Sequence, residues 1–112
     1  MKKCLLIFCL ILLNACQQKE QLPQWYDNGN LHQSTLSDWV KATEENRLAT
    51  CADFAAKIKT TKGEKYNSIE EMKYDAIKLK SCIDEVAKNP DNHNQPIIDM
   101  VVGCEMIEEV LE

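Results

Sequence analysis

SIEEMKYDAIKLKSCIDEVAK, residues 68–88, decides the fold. Ser68 followed three positions later by Glu71 is a capping box, in which each side chain accepts a bond from an otherwise unpaired backbone amide at the helix start. Behind it Ile69, Met72, Ala76, Leu79, Ile83 and Val86 recur at intervals of three and four, the period of one helix face. Asn89-Pro90-Asp91-Asn92 ends the pattern near Lys88. A helix of about five turns with one apolar stripe needs other elements to bury that stripe.

The neighbouring segments supply them. Toward the C-terminus, Pro96 suits the first turn of a further helix, with Ile97, Met100, Val101, Cys104, Ile107 and Leu111 expected inward. Toward the N-terminus, Thr60 to Tyr66, with Gly63, reads as a linker. Before it a helix from about Arg47 to Lys59 carries Leu48, Cys51, Phe54, Ala55 and Ile58. Ser34 or Thr35 can cap an earlier helix with Leu36, Trp39, Val40 and Thr43 on one side. Glu44-Glu45-Asn46 is expected to interrupt the two, although one continuous helix remains open. No segment alternates strictly as a half-buried strand does. The expected fold is all-α, three or four helices packed as antiparallel hairpins over residues 34–112.

Register selects a cysteine pair. Cys82 lies six residues before the end of the third helix, and Cys104 seven after the start of the fourth. At about 1.5 Å per residue both stand around 10 Å from the connecting loop in an antiparallel pair. Cys51 and Cys82 differ in level by roughly 9 Å on the same reckoning, and a bridge needs α-carbons within about 7 Å. A Cys82–Cys104 disulfide is expected, with Cys51 a buried thiol.

The first residues have a different logic. Lys2-Lys3 precedes an apolar run of ten residues, Cys4 to Leu13, which then gives way to Asn14-Ala15-Cys16 and the polar Gln17-Gln18-Lys19-Glu20. Paired cations, a short apolar stretch and a small residue form the three-part pattern of an export signal. The run is too short to span a bilayer, which takes roughly 20 apolar residues. Leu13-Asn14-Ala15-Cys16 resembles the bacterial lipobox. That resemblance implies cleavage between Ala15 and Cys16, a diacylglyceryl group on the Cys16 thiol, and usually an acylated new amine. Gln17 stands where an aspartate would resemble an inner-membrane retention signal, so the outer membrane is favoured if the organism has one. The expected division is a signal at 1–15, a lipidated cysteine and polar tether at 16–33, and the helical domain at 34–112. A flexible tether of seventeen residues, 17–33, would reach roughly 20–25 Å. Within it Trp25-Tyr26 is expected to dock on the domain rather than at the lipid interface, and Asp27-Asn28-Gly29-Asn30 to turn.

Loss of the signal leaves 97 residues, one small domain. Lys2 and Lys3 go with it, so 11 basic residues face 18 acidic ones, a net charge of −7. That balance argues against nucleic acid and against adsorption to anionic lipid. Of six cysteines, Cys4 and Cys9 leave with the signal and Cys16 is consumed by lipid. Three remain for a compartment in which disulfides persist.

Leu31-His32, Trp39, Ala42-Thr43, Asn46-Arg47-Leu48-Ala49-Thr50 and Ala52-Asp53-Phe54 make residues 31–54 resemble small exported helical proteins of bacteria. The resemblance implies neither an activity nor any functional residue.

Reaction chemistry is sparse. Asp91, His93 and Asp99 could be imagined around a metal, but lack the i, i+4 ligand spacing of a helical site, and His32 stands alone. The pairs Glu44-Glu45, Glu70-Glu71, Asp84-Glu85 and Glu108-Glu109 diverge around their helices by about 100° and are expected on solvated faces. There is no phosphate-cradling glycine loop and no Gly-x-Ser-x-Gly. The expectation is a noncatalytic, lipid-anchored module without cofactor or metal, binding an envelope protein. The alternatives are a stress- or lysis-type lipoprotein acting on the membrane itself and, least favoured, an enzyme.

Overall fold

A computed structural model describes residues 22–111, with side chains through Val110. Among them are four α-helices: α1 (Leu36–Lys41), α2 (Glu44–Thr61), α3 (Ile69–Ala87) and α4 (Ile97–Leu111). A 3-10 turn at Pro90–Asn92 precedes α4. The expected all-α fold is present, with no strand among the described residues beyond a single antiparallel bridge between Thr35 and Pro96. Ala15 and Cys16 lie outside the described residues.

Helix α3 is the spine, packing against α1, α2 and α4. Its Ala76, Leu79, Ile83 and Ala87 are buried, at spacings of three and four. The capping box forms with one shift. Glu71 N donates to Ser68 Oγ at 3.1 Å, while the Glu71 carboxylate accepts from Asn67 N at 2.9 Å rather than from Ser68. Ile69, expected inward, is exposed. The loop after α3 spends its polar residues on the helix's last carbonyls: Asn92 Nδ2 donates to Val86 O and His93 Nε2 to Ala87 O, both at 3.0 Å.

Six residues of α1 could not hold a helix alone, because nucleation costs more than one turn returns. Its free amides are satisfied from far along the chain. Leu36 N donates to Gln95 O and Ser37 N to His93 O, each at 3.0 Å, and Ile97 N returns a bond to Ser34 O at 2.9 Å. Thr35 stands at the cap position without a capping bond from its side chain. At the other end Arg47 reaches back to the carbonyls of Trp39 (2.8 Å), Val40 and Ala42 (both 3.1 Å).

The helix break falls earlier than expected. Thr43, not Glu44-Glu45-Asn46, interrupts the chain: its hydroxyl accepts from Asn46 N at 3.1 Å and opens α2. The two glutamates then lie in the first turn, where a helix dipole favours negative charge. Leu36 and Trp39 are fully buried, but Val40 and Thr43 face outward, in contrast to the expected stripe. Helix α2 also runs to Thr61, shortening the linker read from Thr60.

The segment before α1 is not an extended tether where it is described. Asn30 N donates to Asn46 Oδ1 at 3.0 Å, Asn46 Nδ2 to Asn30 Oδ1 at 2.8 Å, and Leu31 N to Thr50 Oγ1 at 3.3 Å. Asn46 and Thr50 are one turn apart on α2, so two polar side chains satisfy the crossing backbone. Leu31 is buried, and Trp25 and Tyr26, edge-to-face with each other at 5.4 Å between ring centroids, pack against the core. The Trp25-Tyr26 pair therefore docks on the domain, as expected. The packed unit begins near Gln24 rather than at Ser34. Asn28 adopts a left-handed φ of 68° as the chain turns toward α2.

Gly29 sets how close that crossing is. A Cβ there would stand 2.5 Å from Thr50 N and 2.7 Å from Ala49 C. Because the clash is with helix backbone, Gly29→Ala is expected to destabilise the domain by about 1–3 kcal/mol. Urea denaturation of the purified protein would check this, and an unchanged midpoint would mean that residues 24–33 do not lie against α2.

Candidate interaction surface

Helix α3 and helix α4 run antiparallel from their loop, and this register brings Cys82 and Cys104 together at disulfide distance, with α-carbons 6.1 Å apart. The pair expected from residue counting is the pair the fold juxtaposes. Cys51 is fully buried and unbridged. Burial, aided by the Asp84 carboxylate, pushes its thiol up to about 12, so it carries almost no thiolate at neutral pH. Non-reducing peptide mapping should link the Cys82 and Cys104 segments, with Cys51 alkylated only after unfolding. Closing this loop should contribute about 3 kcal/mol, so reduction should lower the melting temperature. A Cys51 linked to either partner would contradict the packing of α2 on α3.

The polar groups of the interior are committed to structure. Asp84, expected on a solvated face, is largely covered: Trp39 Nε1 donates to it at 2.8 Å, Lys80 at 2.7 Å, and Arg47 stands 3.6 Å away. Glu44 pairs with both Arg47 and Lys80. Burial would lower the Lys80 ammonium, but the hydrogen bonds to Asp84 and Glu44 outweigh it and hold the lysine above its usual range. This network ties α1, α2 and α3 at one point.

A cleft of about 260 Å³ opens between the C-terminal end of α2, the following loop, α3 and α4. Tyr66 donates to Asp75 at 2.8 Å across its wall, and burial together with that bond raises the phenol above its ordinary value. The lysines around the cleft are paired: Lys59 with Glu64 at 3.3 Å, Lys62 with Glu105 and Glu109 at 3.7 Å each, and Lys78 with Glu108. His32 bonds Asp53 at 2.8 Å and leans on the Phe54 ring. His93 is occupied at the end of α3. No three His, Cys, Asp or Glu side chains converge as a metal site among the described residues. Nor is any described helix long and apolar enough to cross a membrane.

Helix α4 departs from this pattern. Its inner side buries Ile97, Val101 and Cys104, with Met100 partly covered. Ile98, Val102, Met106 and Val110 follow one another at intervals of four on the other side and are exposed, Met106 at 62 % and Val110 at 84 %. Ile107, expected inward, is 57 % exposed and widens the outer face; the Leu111 side chain lies outside the described set. Residues four apart on a helix align into one ridge, here about 18 Å long. Gly103 flattens its centre, and a Cβ there would meet nothing within 4 Å. A helix apolar on both sides is ordinarily covered on both.

This outer ridge was legible in IIDMVVGCEMIEEVL, residues 97–111, where more positions are apolar than one core-facing stripe requires. Reading only the inward set, Ile97, Met100, Val101, Cys104, Ile107 and Leu111, passed over the second one. The chain matches no family model, no curated protein and no solved structure.

Proposed function

We propose that the chain is a lipid-anchored, noncatalytic binding module of a bacterial cell envelope, held through Cys16 and meeting a protein partner through the outer face of α4. The anchor rests on Lys2-Lys3, the apolar Cys4–Leu13 run and the lipobox-like Leu13-Asn14-Ala15-Cys16. The binding role rests chiefly on one observation, the apolar ridge Ile98–Val102–Met106–Val110 left uncovered. The charges of Arg47, Glu44, Lys80 and Asp84 are spent on one another, which suits a binding scaffold.

Two or three acyl chains hold a protein to a bilayer essentially permanently, at about 0.8 kcal/mol per buried methylene. Gln17 after the cysteine favours the periplasmic face of an outer membrane in an organism that has one, and otherwise the plasma membrane. A second reading takes the same apolar ridge as a surface that acts on the membrane itself, as in a stress- or lysis-type lipoprotein. The acids bordering the ridge weigh against it where headgroups are anionic. Phase separation in a clouding detergent tests the anchor. The processed chain should enter the detergent-rich phase, and a chain wholly in the aqueous phase would overturn the assignment.

A further inference from the structure

We infer that the outer face of α4 docks a cationic amphipathic helix of a protein partner, whose groove receives the ridge Ile98–Val102–Met106–Val110. This deepens the binding role proposed above and rests on it, but not on the lipid anchor.

Shape gives the first part of the argument. A ridge of residues four apart is the element that enters the groove of a second helix in the commonest helix-packing class. Gly103, with open space where a side chain would be, lets a second backbone approach at mid-ridge. The ridge spans thirteen residues from Ile98 to Val110, so a partner helix of three to four turns covers it.

Charge gives the second part, and it selects among occupants. Helix α4 carries Asp99, Glu105, Glu108 and Glu109 and no lysine or arginine. Lys62 and Lys78 answer the three glutamates, while Asp99 has no ion pair among the described residues. Four acids against two lysines leave the surroundings of the ridge negative. A second copy of α4 would bring acids against acids, and like charges across an interface cost affinity. A bilayer with anionic headgroups meets the same repulsion. A helix with an apolar face and lysines or arginines on its flanks meets neither.

The test uses the purified full-length chain, in zwitterionic nanodiscs if it is membrane-bound. The probe is a fluorescent eighteen-residue helical peptide with leucines on one face and lysines on its flanks, set against the same peptide with glutamates for the lysines. The lysine peptide should bind at least tenfold more tightly than its glutamate counterpart. A Val102→Glu/Met106→Glu variant should bind it at least tenfold more weakly, even though the variant is more acidic. Attraction by charge alone would leave that variant binding equally or better, which would overturn the proposal. Gly103→Gln, which changes no charge, should weaken binding severalfold without lowering the domain's melting temperature; undiminished binding would exclude close approach at mid-ridge. A dimer in sedimentation that disappears with Met106→Glu would assign the face to a second copy. Quenching of a bimane on a labelled Val102→Cys variant by brominated lipid would assign it to the bilayer. Either result overturns the partner-helix inference. Detergent partitioning reports the anchor separately, so a lipidated chain that fails the peptide test loses this inference alone.

Discussion

Cys16→Ala is expected to abolish lipid attachment altogether. The Cys16 thiol is the proposed acceptor at the membrane surface, and the lipobox-like Leu13-Asn14-Ala15 exists in this reading only to present it. With labelled palmitate in the growth medium, the parent should incorporate label and the variant none. The variant should also accumulate as a larger, uncleaved precursor, because in this class cleavage follows lipid transfer. Label entering the Cys16→Ala protein would refute the assignment. The effect is all-or-none because loss of the acyl chains removes the whole of the anchoring free energy.

Trp39→Ala should have the largest effect on stability. The indole is fully buried among α1, α2 and α3, and its Nε1 donates to Asp84 at 2.8 Å. Truncation removes the largest buried side chain and leaves a cavity, which costs about 3–5 kcal/mol. Against a total of roughly 5–15 kcal/mol for a domain of this kind, that approaches unfolding. Thermal melts followed by circular dichroism should show a drop of more than about 10 °C. Trp39→Phe keeps one aromatic ring but loses the pyrrole and its donor, and should cost less, about 1–3 kcal/mol. An alanine variant melting within a degree or two of the parent would mean that α1 does not close the core.

Local signals account for what the sequence made legible. Ser68 with Glu71 and then Asn89-Pro90 bracket α3 to within a residue, because capping chemistry and backbone restriction act over three or four positions. Once both ends of α3 and the start of α4 are bounded, the level of Cys82 against Cys104 follows from helix rise alone, and the 6.1 Å α-carbon separation agrees.

Long-range contacts account for what was missed. Asn46 and Thr50 look like ordinary polar helix residues, yet they satisfy backbone groups sixteen to nineteen positions away. The first turn of α1 is capped by carbonyls of His93 and Gln95, which no reading of Ser34 and Thr35 could supply. Glu44 and Glu45 were expected to break a helix, where their position favours starting one. The reading of Asp84 as a solvated carboxylate failed because its cover comes from Trp39 on a different helix. The outer ridge of α4 is a different kind of miss: the pattern was local and visible, but an inward stripe already explained the helix.

The most direct test of lipid anchoring is the mass of the N-terminal peptide of the chain recovered from bacterial membranes. Cleavage before Cys16 with a diacylglyceryl group on its thiol, and commonly a further acyl group on its amine, is the predicted result. An unmodified Cys16, or a chain that still begins at Met1 in the mature protein, would contradict it.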